Sequence, residues 1–360
     1  MLKNKKTVVT LVLLITFISL FFVVSRIDKQ ANLPKFEDKL WDSAYRVFMN
    51  LPDSIKSLFM IFSGKRSFAN LSNDYNVKFL PETQYIRIDF KKKKLESKKK
   101  KNRYTFYLEN FNDKLLVITK DGDFYQSDLS DLTDEEEKID NKKIPTNKVY
   151  GGIRDTLIID DTIFISKGST YENCNNLEIY SAKIASKLNF EIFKKFEECI
   201  NTGIGAGRIQ RYKHNNYDGI IISTLDGGDN DVPGMKAQDD NSVFGKIVFI
   251  DFNTKKHEII SKGHRNAQGL FVKDDIILSS EHGPKGGDEI NRIYFNKNYG
   301  WPIASYGEPY KNKNLKYFKS HSDNGFEEPI FVFLPSIGIS ELIILPNSFD
   351  PKWKNYALVT

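Results

Sequence analysis

DKLLVIT at 113–119, DTIFIS at 161–166, DGIIIST at 218–224 and DIILSS at 275–280 are versions of one short β-rich run, and their recurrence decides the fold. The runs start 48, 57 and 57 residues apart. Each is followed, after a loop, by a second β-like stretch: FYQSDL, LEIYSAKI, GKIVFIDF and EINRIYF. A unit of this size with several strands cannot bury its faces alone. Stacking copies around an axis buries them, which predicts an all-β propeller over residues 75–360. No helical stretch of ten or more residues separates the runs after residue 75, which argues against a parallel α/β sheet. A fifth copy, NYALVT at 355–360, has no partner strand after it. It reads as truncation in the fifth blade, through a fragmentary reading frame, or as a ring left open.

Outward from the repeats, residues 31–74 read as a helical stalk. FEDKLWDSAYRVFMNLPDSIKSLFMIF is amphipathic at helical spacing and is broken at Pro52. Before it, Thr7 to Ser25 carries no charge over nineteen residues. As a helix it rises about 28 Å, enough for a bilayer core. Residues 1–30 are therefore expected to form a membrane anchor, with a buried core helix as the bland alternative. Lys3, Lys5 and Lys6 precede the run, which places the body across an inner membrane, facing the periplasm. A cleaved signal peptide, giving a secreted protein, stays open, although no A-x-A-like site follows Val24.

The formal charge of +6 shrinks once the first thirty residues, which hold +4, are set aside. A folded body at +2 with no basic face excludes a general nucleic-acid binder. Aromatic residues at 13% exclude disorder. Lys91–Lys94, Lys98–Lys101 and Arg103 put nine cations in thirteen residues, and nine acidic residues lie between Asp121 and Asp140. Both read as solvated loops, with contact between the Lys loop and anionic lipid as the sharper alternative. Cys174 and Cys199 flank NLEIYSAKI and NFEIFKKFEE. If those runs form an antiparallel hairpin, the two cysteines lie opposite each other with Cα atoms about 5.5 Å apart, and a disulfide suits an exported chain. Two unpaired thiols are the alternative.

The chemistry is concentrated between Ala206 and Tyr306: AGRI at 206–209, AQDDNSVFGKI at 237–247, GHRNAQGL at 263–270, SEHGPKGGDEIN at 280–291 and KNYGWP at 297–302. Arg265 and Asn266 offer a fork of donors to an anionic or carbonyl-rich ligand. Gly283 and Pro284 expose backbone carbonyls, and Asp288 and Glu289 add carboxylates, a hard-oxygen set suited to Ca²⁺. His264 and His282 fall inside the motifs. His282 is a candidate to face the ligand, although most such loop histidines are only hydrogen-bonded or solvated. His214, His257 and His321 lack zinc-ligand spacing.

In this order the motifs closely resemble the glucose/sorbosone dehydrogenase family, whose soluble aldose dehydrogenases use pyrroloquinoline quinone (PQQ) on a six-bladed propeller. The resemblance covers roughly residues 105–360. It implies an oxidoreductase acting on an aldose sugar or related alcohol, with PQQ and Ca²⁺ as cofactors, which together with the anchor read from residues 7–25 gives a membrane-anchored periplasmic enzyme. It further implies that Arg265, Asn266 and Gln268 bind the quinone and that the Gly283 and Pro284 carbonyls hold the calcium it chelates. Asp288 and Glu289 would be ligands of a further structural calcium.

Three departures follow from the same resemblance. The family segment G-L-L-G-x-A-x-H-P-D aligns with Gly152 to Asp161, which puts Ile159 where a general-base His is expected. Isoleucine accepts no proton, which leaves Asp155 and His282 as the weak catalytic candidates. The aromatic before P-S-x, often a Trp that caps the substrate, is Phe333, and the later quinone-holding cations would fall beyond Thr360. The alternative function is a catalytically silent, calcium-stabilised propeller that binds a glycan, a lipid or an envelope protein.

Overall fold

The computed structural model describes residues 67–68, 106–129, 137–141, 144, 152–171, 174–228, 235–310, 314–349, 353 and 356–360. Four sheets of similar plan follow one another in the chain. The first runs Phe106–Phe111, Lys114–Thr119, Phe124–Asp128 and Glu137–Asn141; the second Gly152–Ile159, Thr162–Tyr171, Cys174–Lys183 and Glu191–Lys195. The third runs Ala206–His214, Tyr217–Thr224, Lys246–Asp251 and His257–Lys262; the fourth Ala267–Lys273, Ile276–Glu281, Asp288–Arg292 and Phe331–Phe333. A fifth pair, Leu342–Ile344 and Ala357–Val359, is two-stranded. Consecutive strands within each sheet pair antiparallel.

First strands of successive sheets lie beside one another in chain order, from Phe106–Phe111 round to Leu342–Ile344. That is a propeller-like arrangement, and the recurring sequence run is the second strand of every unit. Neighbouring sheets are also stitched at their outer edges. Lys187–Leu188 pairs parallel with Glu137–Asn141, and Lys297–Asn298 pairs parallel with His257–Lys262.

Side-chain alternation explains why the runs are apolar throughout. Successive residues of a strand point to opposite faces. Ile220 and Ile222 enter the core between the second and third sheets, whereas Ile221 enters the core between the third and fourth. Ile163 and Ile165 likewise face the first sheet while Phe164 faces the third. Ile220, Ile221 and Ile222 are each 0% exposed. Burial of an isoleucine contributes about 1.5–3 kcal/mol, so a polar residue on either face of these strands removes one sheet-to-sheet contact.

Cys174 and Cys199 form a disulfide with Cα atoms 5.4 Å apart, as the hairpin argument expects. The hairpin carries a bulge between Ile192 and Lys194, and beyond it Lys195 lies opposite Glu178. Among the described residues the only helices are two short 3₁₀ turns, Met235–Ala237 and Ser322–Asn324, and no helix is long and apolar enough to cross a membrane. The expected anchor at 7–25, most of the stalk and the Lys-rich run lie outside the described residues. Ser67–Phe68, within the stretch read as helical, instead form a short strand antiparallel to Phe331–Phe333. An open sheet edge supplies backbone partners there that outweigh the local helical pattern.

Candidate functional site

Arg265 and Asn266 occupy the crossing from the outer strand of the third sheet to the first strand of the fourth. His282, Gly283 and Pro284 follow the second strand of that fourth sheet. The two segments meet. Arg265 Nη1 donates to His282 O at 2.8 Å and to Gly283 O at 2.9 Å, and the His282 amide donates to Asn266 O at 3.1 Å. The Arg265 guanidinium lies 5.3 Å from the Trp301 ring. Trp301 Nε1 donates to Asp226 Oδ2, and the Asp226 amide donates to Arg265 O at 2.9 Å. Burial pushes the Asp226 carboxyl up to about 6, opposed by the indole bond and by the charge of Arg265.

Asn266 is oriented by its neighbours. The Ala206 amide donates to Asn266 Oδ1 at 2.9 Å, which fixes the side-chain amide so that Nδ2, a donor, is turned away from Ala206. A guanidinium and an amide donor thus stand together where the first strand of the fourth sheet begins. Gln268 lies two residues further along that strand, and its carbonyl accepts from Arg208 Nε at 2.5 Å.

A fully buried pair sits below. His264 Nδ1 lies 2.6 Å from Glu281 Oε1, and Glu281 Oε2 accepts from the Arg265 amide at 3.3 Å. Ser279 and Asn291 also donate to Glu281; despite complete burial, the His264 charge and the bonds from His264, Ser279 and the Arg265 amide hold the carboxyl below the usual range. His264 is therefore a structural histidine. Beside Arg265 is a small cavity of about 10 Å³, lined by Glu281, His282, Glu289, Tyr299, Trp301 and His321 among others. It has room for about one water molecule.

The residues expected to hold calcium divide into two groups. Gly283 is cradled so tightly that a Cβ there would collide with the carbonyl oxygens of Gly286 and Gly287. Its own carbonyl and that of His282 converge on a cationic group, and Pro284 O accepts from Tyr310 at 3.1 Å. Neutral hard oxygens aimed at a cation fit the chemistry of Ca²⁺. Glu289 fits as well. Its carboxyl is pushed well up by burial and by the nearby Glu281, Glu328 and Asp288 charges, a cost that a bound cation would relieve.

Asp288 does not fit. Its Oδ2 accepts from the amides of Ile337, Gly338 and Ile339, and its Oδ1 from the Gly283 amide. It is a fully buried lock between two loops. Among the described residues no group of three or more His, Cys, Asp or Glu side chains is arranged to hold a metal.

The two weak catalytic candidates differ in place. His282 is half-buried and lines the cavity beside Arg265, and burial pushes its imidazole below the usual range, so it is neutral at pH 7. Asp155 is 8% exposed and engaged elsewhere, with Arg208 Nη1 at 3.0 Å and the Ile209 amide at 2.8 Å. Ile159 ends the same strand and is buried in the core between the second and third sheets. Four residues of strand put it about 13 Å beyond Asp155. A base at that position would not reach Arg265, so the alignment through Ile159 does not locate the proton acceptor. Phe333 is buried at 7% exposure in the core between the fourth and fifth sheets, against Phe331, and caps nothing.

Successive sheets with a guanidinium, a side-chain amide and backbone carbonyls where one first strand begins give a propeller-like fold with a candidate site at that end. The family model described as glucose/sorbosone dehydrogenase matches residues 106–360, and the chain belongs to that family.

Aldose sugar dehydrogenase YliI of Escherichia coli is 33% identical over 133 residues, which cover 33% of this chain and 36% of the relative. Quinoprotein glucose dehydrogenase B of Acinetobacter calcoaceticus is 44% identical over 106 residues, 25% of this chain and 22% of the relative. An uncharacterised Synechocystis protein is 32% identical over 157 residues, 38% of each chain. The matched stretches thus span well under half the length of these relatives. Of solved structures, the apo-form of the E. coli soluble aldose sugar dehydrogenase superposes with a TM-score of 0.60 at 21% identity, over 71% of this chain and 79% of that one. A glucose dehydrogenase crystal structure gives 0.59 at 20% identity over the same shares, and both likenesses concern the fold.

Proposed function

We propose that this chain is a PQQ-dependent dehydrogenase of aldose sugars or related alcohols, built as a six-bladed propeller. The observation that carries this reading is the convergence of the Arg265 guanidinium, the Asn266 amide donor and the His282 and Gly283 carbonyls at the start of one inner strand. Membership of a sugar dehydrogenase family and a relative that is a quinoprotein by name support it. The cavity of about 10 Å³ beside Arg265 is too small for a tricyclic quinone, so binding would require the loops that line it to move apart.

The quinone, when bound, supplies a two-electron oxidant for the sugar. Arg265 is suited to pair with one of its carboxylates through its guanidinium, and Asn266 Nδ2 to donate to a carbonyl or carboxylate oxygen. Gly283 and Pro284 would hold Ca²⁺ through their carbonyl oxygens, and Glu289 a second ion. Trp301 and Asp226 keep the guanidinium from swinging away. The substrate hydroxyl must lose a proton as it is oxidised, and His282, neutral and beside Arg265, is the side chain placed to accept it on an imidazole nitrogen.

We further propose that the body is anchored to the inner membrane through residues 7–25 and faces the periplasm, a reading that the disulfide supports. A reporter that folds only after export, fused behind Thr360, is expected to be active; activity only of a cytoplasmic reporter contradicts the topology.

The test of function is aldose-dependent reduction of a dye by the full chain given PQQ and Ca²⁺. Turnover that disappears without quinone supports the proposal. The silent-propeller alternative draws on the one-water cavity and on the commitment of Asp288 to backbone amides. Quinone bound without turnover would favour it.

A further inference from the structure

We propose that the Cys174–Cys199 disulfide is a redox-sensitive tether that positions the side-chain amide of Asn266, a role that rests on the quinone-site reading above. The segment 196–205 lies outside regular strands, between Glu191–Lys195 and Ala206–His214. It starts at the disulfide and ends against the site. From Cys199 the chain passes to Ile200, whose amide and carbonyl exchange 2.8 Å bonds with Asn175, the neighbour of Cys174. Asn175 Nδ2 then donates to Thr202 O at 2.8 Å, and Thr202 Oγ1 to Gly227 O at 3.3 Å, one residue past Asp226. Gly205 packs so close to Asn266 that a Cβ there would stand 2.8 Å from Oδ1.

The far end of the segment is strained. Ala206 has φ of 48° and Gly207 of 88°, two successive left-handed residues. A residue with a Cβ adopts that conformation at a cost and holds it only when its surroundings over-determine it. This strained Ala206 amide is the donor that takes Asn266 Oδ1 and leaves Nδ2 for a ligand. If 199–206 loosens, Ala206 can relax, the amide of Asn266 can turn over, and an anionic ligand meets an oxygen in place of a donor. The Glu198 contacts to Ser242 and to the Val243 amide pin the segment as well, but the disulfide is its covalent pin.

Reduction by a dithiol breaks the S–S bond with two electrons and two protons, leaving two cysteine thiols and the reductant as its own disulfide. Hydrogen exchange at the Ala206 amide needs no ligand. It is expected to speed up roughly tenfold on reduction or in a Cys174→Ser/Cys199→Ser variant. Unchanged exchange overturns the tether. PQQ titrated with Ca²⁺ is expected to bind roughly tenfold more weakly to the reduced chain, about one hydrogen bond's share of affinity. Asn266→Ala should weaken binding by itself and abolish the effect of reduction. Equal loss on reduction in that background would overturn the positioning role, since general loosening would then explain it. Gly205→Ala, with the disulfide intact, should reproduce the weakening. Faster exchange in a chain that binds no quinone in either state would refute the quinone reading while leaving the tether in place.

Discussion

Removing the Asp288 carboxylate decides whether it is a metal ligand, as its motif suggests, or a backbone lock. The side chain is 0% exposed and accepts four amides: Gly283 at 3.0 Å, Ile337 at 3.0 Å, Gly338 at 2.8 Å and Ile339 at 3.0 Å. In Asp288→Ala those donors lose their acceptor and water cannot fully replace it. Each unsatisfied buried donor costs about 1–3 kcal/mol, but two flexible loops can move, so the four do not add. A total of about 3–5 kcal/mol is expected, a large part of the stability of a typical domain. Asp288→Asn keeps one oxygen and turns an N–H group toward other N–H groups, so it should cost about half as much. Urea unfolding of the full chain, with Ca²⁺ and with a chelator, measures both. The lock predicts the same loss under the two conditions. If Asp288→Ala matched the wild type in chelator and lost only the stabilisation that calcium gives, the carboxylate would be a ligand and the reasoning refuted.

Arg208 joins three sheets near the axis through Asp155 Oδ1, Glu341 Oε2 and the Gln268 carbonyl. Arg208→Met should cost about 2–4 kcal/mol in urea unfolding, mainly because it strands the buried Asp155 carboxyl, with a smaller share from the partly exposed Glu341; a loss below about 1 kcal/mol would show that the network contributes little. Asp226 titrates near 6 in the folded chain, above its unfolded value near 4. The native state therefore binds more protons between those values, so stability should fall as pH rises from about 4 to 6 and stay level above. Relative to Asp226→Asn, the wild type should lose about 2–3 kcal/mol over that window; parallel stability curves would contradict the burial argument. Gly283→Ala, whose Cβ meets two carbonyl oxygens, should cost about 1–3 kcal/mol and weaken Ca²⁺ binding in calorimetry; a stable, calcium-binding variant would show that the loop has room.

The sheets were legible because both faces of the second, third and fourth sheets are buried. DGIIIST supplies one Ile to each neighbouring core in turn, and that pattern survives in any register of the loops. The disulfide was legible because hairpin register is arithmetic. Arg265, Asn266 and Gly283 were legible as a group because polar and glycine-rich motifs interrupt the strands together. Asp226 and Trp301 were not singled out, because their link spans 75 residues and is made only when two sheets close on each other. The amide partners of Asp288 were hidden for a related reason. A carboxylate in a glycine loop looks the same in sequence whether it faces a cation or the amides of 337–339, and those amides lie about 50 residues away. The family resemblance puts Ile159 at the general-base position, whereas in the fold it ends its strand in the core between the second and third sheets.

Calorimetric titration of the full chain with PQQ in the presence of Ca²⁺ tests the central claim most directly. The account predicts one site, roughly tenfold or more weaker in Arg265→Ala, in keeping with loss of a charge-assisted bond of about 1.5–3 kcal/mol. Absence of binding by the wild type, or equal binding by Arg265→Ala, would contradict it.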